Sequence, residues 1–192
     1  MKTGILHVAL IGGLAVGSLA AVPAGAKAAT IEGVTFRGEV TAGDSVVPLR
    51  GYGLLRYMAF IKAYVAALYL PEAVRSEDAL SEVAKHLEIE YFHAIPAGDF
   101  AKATSASISR NTSLTAFQRL KPKIDEFNAL YRDIAPGDRY ALTYLPGRGT
   151  TLSWNGKPLG TVAGPDFAAA LFGIWLGDNP LDGGLKNRLL GD

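Results

Sequence analysis

Phe60–Leu70 carries the strongest pattern in the chain. Drawn as a strand, it sets Phe60, Lys62, Tyr64, Ala66, Leu68 and Leu70 on one side and Ile61, Ala63, Val65, Ala67 and Tyr69 on the other. Side chains alternate across a strand, so a segment apolar on both sides predicts a strand covered on both faces, inside a sheet. Its alanines leave a helix as the competing local reading, and Pro71 ends the run either way. Lys85–Phe92 alternates more simply, with Leu87, Ile89 and Tyr91 opposed to His86, Glu88 and Glu90, the pattern of a half-buried strand. Thr30–Phe36, Glu39–Val40 and Val46–Leu49 predict short strands around Arg37-Gly38 and Gly43-Asp44, and Gly51-Tyr52-Gly53 reads as another break. Tyr140–Leu145, Thr150–Trp154 and Lys157–Val162 complete the strands. Asn155-Gly156, a dipeptide suited to a two-residue turn with positive φ, joins the last two as a hairpin.

Helical patterns fill the intervals. Ser76 followed by Glu77 and Asp78 has the capping hydroxyl and first-turn acids of a helix start, predicting a helix to about Ala84. Pro96–Asp99 turns into a helix over Phe100–Arg110, and a second runs from Ser113 to about Tyr131, punctuated at Pro122. Gly164-Pro165-Asp166 opens a helix through Leu176, and Asp182–Leu190 predicts a short last one. This order predicts an α+β fold, a largely antiparallel sheet with helices packed on one face.

The N-terminus departs from these patterns. Met1-Lys2 precedes an almost wholly apolar or small run from Ile5 to Val22. Pro23 breaks it, and Ala24-Gly25-Ala26 and Ala26-Lys27-Ala28 each offer small residues for cleavage. That layout predicts a secretory signal peptide over residues 1–28 and a domain over 29–192, periplasmic or secreted, with no stable membrane anchor left after cleavage near Ala26 or Ala28. A retained transmembrane anchor is the alternative, disfavoured by the many Gly and Ala residues and by His7. The 192 residues fit one domain with a real core.

Charge and cysteine content narrow the function. Lys plus Arg number 19 against 18 Asp plus Glu. With no basic stripe along the chain, nucleic acid is not an expected partner. Arg119, Lys121 and Lys123 read as a solvated helix face. There is no cysteine, which removes disulfides, thiolate metal sites, a cysteine nucleophile and a lipoprotein anchor. The sequence has no G-x-S-x-G elbow, Walker loop, H-E-x-x-H or dinucleotide fingerprint, and no cofactor or metal is expected. His86 and His93 would face opposite sides of a strand, and Glu88 and Glu90 share what reads as a solvated face. Arg56 and Lys62 stand out, because Arg56 lies between a glycine turn and an apolar strand. A guanidinium there needs a partner: a protein carboxylate or carbonyl, which general physics favours, or an anionic ligand.

Three segments together resemble the chalcone isomerase-like family, in its exported bacterial branch. They are Gly51–Arg56 with Phe60–Leu70, then Leu87–Phe92 leading to Ile95–Phe100, then Phe167–Gly177 with Asn179-Pro180. The resemblance spans about Ile31 to Gly191. It implies an open-faced β-sandwich, a large antiparallel sheet with helices on it and a ligand cleft between them. Plant members of the family cyclise chalcones, and relatives of the same fold bind fatty acids.

Carried over residue by residue, the resemblance makes Arg56 the match for the enzymes' arginine and puts Tyr64 where they have a threonine. Phe100 takes the place of the active-site tyrosine and Ser107 that of an asparagine. The segment around Leu171–Ile174 offers only apolar residues where a further threonine is expected. Cyclisation needs donors that steady a developing oxyanion, and Phe100 has none. The expectation is therefore a non-catalytic protein binding a fatty acid or similar small apolar anion. Arg56 would hold the head group, with Lys62, Tyr64, Phe100 and Ser107 around the site. An isomerase or intramolecular lyase, with Arg56 as electrophile, and an envelope interaction module without ligand are the alternatives.

Overall fold

The computed structural model describes residues 27–58 and 60–192, so the predicted leader through Ala26 lies outside the described residues. Strands β1 (Ala29–Ile31) and β2 (Val34–Phe36) form a hairpin. Seven more form one antiparallel sheet in chain order: β3 (Glu39–Ala42), β4 (Ser45–Tyr57), β5 (Ile61–Tyr69), β6 (Lys85–Tyr91), β7 (Arg139–Leu145), β8 (Gly149–Trp154) and β9 (Lys157–Val162). Helices α1 (Ala97–Asn111) and α2 (Leu114–Asn128) interrupt the meander between β6 and β7, and α3 (Pro165–Leu176) and α4 (Gly183–Leu190) follow it. The α+β layout expected from the sequence is present.

Residues on β5 explain the two sides of the sheet. Tyr64, Ala66 and Leu68 join Leu87, Ile89, Leu142 and Tyr144 beneath the helices, in one core with Phe127, Phe167 and Phe172. Val65, Ala67 and Tyr69 face the other way, into a smaller core closed by Val34, Phe36, Val40 and Val47 from β1–β4. Helices cover one face only; the hairpin and the first two strands of the meander cover the back of β5. On that back face Arg139 donates to Glu90 at 2.6 Å, to Glu88 at 3.0 Å and to the Thr35 carbonyl at 3.1 Å. Glu88 and Glu90 thus share a face, but clamped by Arg139 and only partly exposed rather than freely solvated. Lys85 is fully buried on the helical face, its ammonium donating to the Ser81 carbonyl at 2.6 Å and lying 4.8 Å from the Tyr144 ring centre.

Three local expectations need correction. The predicted strand Thr30–Phe36 is a hairpin, folded at Glu32-Gly33 with φ of 52° and 81°. Gly51-Tyr52-Gly53 is no break: β4 runs straight through it, and the glycines serve a packing contact with α4. The helix predicted from Ser76 is one 3₁₀ turn, Ser76–Asp78, whose residues bury nothing, so there is no apolar face to carry it further. As expected, α2 continues past Pro122, secured by the Ser113 cap and by Leu120, Ile124 and Phe127, buried at helical spacing, and it ends at Asn128, short of Tyr131.

Candidate functional site

Between the helical layer and the sheet lies a cavity of about 400 Å³, within the roughly 300–1,000 Å³ common for small-molecule sites. Its floor is sheet: Leu55 and Tyr57 from β4, Ala63 and Tyr64 from β5, Tyr91 from β6. Its roof is α1, which presents Phe100, Ala103, Thr104 and Ser107, spaced so that one helical face meets the space. Ile174 and Trp175 of α3 and Tyr131 close the sides. Tyr57 and Leu181, 61% and 43% exposed, stand where the cavity meets solvent.

Aromatic rings make most of the wall. Phe100 is their hub, stacked on Tyr131 at 5.2 Å and edge-on to Tyr91 and Tyr140 at the same distance. Trp175 Nε1 donates to the Tyr64 hydroxyl at 2.9 Å. The Tyr131 hydroxyl pairs with Thr104 Oγ1 at 2.8 Å. Tyr140 accepts from the Arg132 amide and donates to its carbonyl, both at 2.7 Å. The Tyr91 hydroxyl has no hydrogen-bond partner among the described residues, although it borders the cavity. Burial pushes the Tyr64, Tyr91 and Tyr131 phenols above their ordinary range, so at neutral pH they are donors and not bases. The space therefore suits a largely apolar molecule with at most a few polar atoms.

Of the residues singled out from sequence, Tyr64, Phe100 and Ser107 come together on this cavity. Arg56 and Lys62 do not. Leu55 and Tyr57 face the cavity, and alternation turns Arg56 between them to the back of the sheet, opposite Lys62 on β5. There Lys62 Nζ lies 2.5 Å from Glu32 and Arg56 Nη2 3.7 Å from it, with the basic side chains 49% and 44% exposed. Glu32 comes from the β1–β2 turn that the sequence reading took for strand. The head-group role assigned to Arg56, and the site role of Lys62, are corrected on this ground: the partner of Arg56 is a protein carboxylate, and the cavity is on the other face. Exposed ion pairs contribute about 1 kcal/mol or less. Arg56→Ala is therefore expected to change the melting temperature little and to leave ligand affinity intact; a clear loss of affinity in a titration would return Arg56 to the site.

Sequence reasoning missed Tyr91, Trp175, Thr104, Tyr131 and Leu181. Tyr91 and Trp175 were legible as buried apolar positions, and a buried indole or phenol must also place a polar atom. Thr104 and Ser107 share a face of α1, a signal available from helical spacing alone. Among the described residues no cluster of His, Cys, Asp or Glu could hold a metal ion, and no helix is long and apolar enough to cross a membrane. His86 and His93 lie apart, bonded to Thr143 and to the Lys62 carbonyl.

No curated protein sequence matches this one. Among solved structures, the chain is similar to the crystal structure of the Arabidopsis thaliana fatty-acid binding protein AtFAP1. The TM-score is 0.69 at 15% sequence identity, covering 85% of this chain and 96% of that one; at that identity the likeness is one of fold. The sequence profile of the family described as chalcone isomerase-like matches residues 28–191. A match over nearly the whole domain, on a meander with helices and a cavity on one face, makes the chain a member of the chalcone isomerase-like family.

Proposed function

We propose that this protein binds a fatty acid or a similar amphiphile in the cavity under α1, holding it without chemical change, and that it does so outside the cytoplasm after export by its N-terminal leader. The observation that carries the reading is the cavity itself: about 400 Å³ walled by aromatic and aliphatic side chains. A space of that kind gains from taking up apolar surface, at about 25 cal/mol for each Å² removed from water. AtFAP1, which shares the fold, is a fatty-acid binding protein by name. Catalysis of the cyclisation type has less support. Phe100 offers no hydroxyl, and Tyr64, Tyr91 and Tyr131 on the cavity wall are held protonated by burial.

Ala103→Trp tests the reading. Ala103 borders the cavity from α1, and an indole there would occupy the space a ligand needs. Calorimetric titration with dodecanoate is expected to show binding to the natural chain and affinity lower by about tenfold or more in the variant, with both proteins folded. Equal affinities would place the ligand elsewhere. Cyclisation of a hydroxychalcone by the natural chain, abolished by Ala103→Trp, would instead favour the isomerase reading.

A further inference from the structure

The cavity takes no cation from its own walls; its lining residues are apolar, aromatic or neutral apart from Asp99. An amphiphilic anion must find its counter-charge at an end of the space. The inward face of α1 runs through Phe100, Ala103, Thr104 and Ser107, and the next position on that stripe is Arg110. Arg110 Nη2 donates to Ser107 Oγ at 3.2 Å, so the guanidinium touches a side chain of the cavity wall. Arg110 also borders an open cleft beside the α3–α4 connection, and Leu181 borders both that cleft and the cavity. Arg110 therefore stands where the apolar space passes into a solvent-filled one.

Charges around it leave the guanidinium available. Among the described residues no carboxylate lies within ion-pair distance of Arg110. Two carboxylates line the same cleft: Asp182, which accepts from the Leu185 amide at 2.6 Å and pairs with Arg188 at 3.9 Å, and Asp178, which has no ion pair among the described residues and does not reach Arg110. Asp99, at the other end of α1, pairs with Lys102 at 3.4 Å. Eleven helical steps separate Asp99 from Arg110, about 16 Å along the axis, so the unpaired cation of the roof stands at one end of it. An anion entering the cavity meets a neutralised pair at the Asp99 end and an unpaired guanidinium at the Arg110 end.

We infer that Arg110, with Ser107 beside it, receives the carboxylate head of the bound amphiphile, and that this pair rather than Arg56 sets a preference for acids over neutral lipids. The inference rests on the amphiphile reading above. One guanidinium arm already bonds Ser107 and the others can reach a carboxylate in the planar fork such groups favour. Ser107 accepts from Arg110 and keeps its own O–H as a second donor to the same anion.

The test compares dodecanoate with dodecanol on the full chain, in the natural protein, Arg110→Gln and Arg110→Lys. Dodecanoate is expected to bind about tenfold or more weaker to Arg110→Gln and by an intermediate amount weaker to Arg110→Lys, which keeps charge but not the fork. Dodecanol affinity should stay unchanged in all three, and the natural protein's preference for the acid should fall away at high salt. Unchanged dodecanoate affinity in Arg110→Gln overturns the assignment while leaving the cavity reading standing. An equal loss for acid and alcohol overturns it too, since it marks Arg110 as structural. Failure of both ligands to bind the natural protein overturns the amphiphile reading, and this inference with it.

Discussion

Gly51→Ala is expected to destabilise the domain by about 3 kcal/mol or more, at the upper end of what overpacking costs. A Cβ at Gly51 would lie 2.1 Å from the Arg188 carbonyl oxygen and 2.6 Å from that of Leu189. Both are backbone atoms of α4, so no side-chain rotation relieves the clash; the helix must lift. Gly53 repeats the contact two residues on, where a Cβ would come within 2.8 Å of Leu185 and Arg188 side-chain atoms. Leu185, Leu189 and Leu190 are buried by this docking, and the Asp182 cap fixes the helix start. Lifting α4 therefore exposes three leucines as well as straining β4. For a domain of this size 1 kcal/mol moves the melting temperature by about 2–4 °C, so a drop of about 6–12 °C should be seen. Gly98→Ala is the control: nothing lies within 4 Å of its Cβ position, and alanine suits a helix better. Faster amide exchange over α4 should accompany the Gly51→Ala drop. A variant that melts with the natural protein would mean that α4 is not seated on β4.

Gly51 also shows where sequence reading stops. Two glycines around a tyrosine look like a turn to any local rule, yet here they thin the strand so that a helix from the far end of the chain can approach its backbone. The contact joins residues about 140 positions apart, and nothing near Gly51 announces it. Glu32-Gly33 failed in the opposite sense. Its turn lay inside Thr30–Phe36, a segment that reads as one short strand, and Glu32 takes positive φ while pairing with Lys62 across the back of the sheet. Segments whose burial follows a plain period were legible: Lys85–Tyr91 alternates buried and partly exposed along its whole length, as its sequence alternates. Asn155-Gly156 makes the hairpin turn its chemistry favours, with φ of 48° and 77°.

The candidate site divides along the same line. Tyr64, Phe100 and Ser107 reach the cavity because the resemblance aligned them on elements of the right kind. Arg56 was judged by its neighbours in sequence, and those neighbours point the other way. One residue of strand parity moves a side chain to the opposite face, and the ladder between Leu55 and Arg56 is irregular. On β4 plain alternation holds through Leu55, Arg56 and Tyr57; the extra residue is Ala63 on β5, because Leu55 pairs with Tyr64 and Arg56 with Lys62, and it turns Lys62 away from the face of Tyr64. The helical stripe from Phe100 to Arg110 needed only a count of three and four.

Acid should weaken the fold through His86 before any carboxylate is lost. Its Nδ1 meets Thr143 Oγ1 at 2.8 Å, and its ring lies edge-on to Tyr69 at 5.4 Å. Burial lowers its pKa from 6.5 to about 4; nearby Glu88 favours the cation but does not offset this, and Arg37 opposes it. Between these values the unfolded chain takes up a proton that the native protein refuses. Stability is thus unaffected by His86 above pH 6.5 and falls as pH drops through the window toward 4. The slope is about 1.4 kcal/mol for each pH unit at most, and the loss up to about 3 kcal/mol, less what solvent at this partly exposed ring screens. Asp138, held low by the Ala135 amide and by Asn155, and Asp166, held low by Lys123, should add their losses further down. His86→Gln keeps a partner for Thr143 and has nothing to titrate. Urea unfolding at pH 7.5, 5.5 and 4.5 should therefore show a marked decline in the natural protein and a nearly flat series in the variant. Parallel declines in the two would assign the acid sensitivity to other groups and mean that His86 takes up its proton as readily in the native protein as in the unfolded chain.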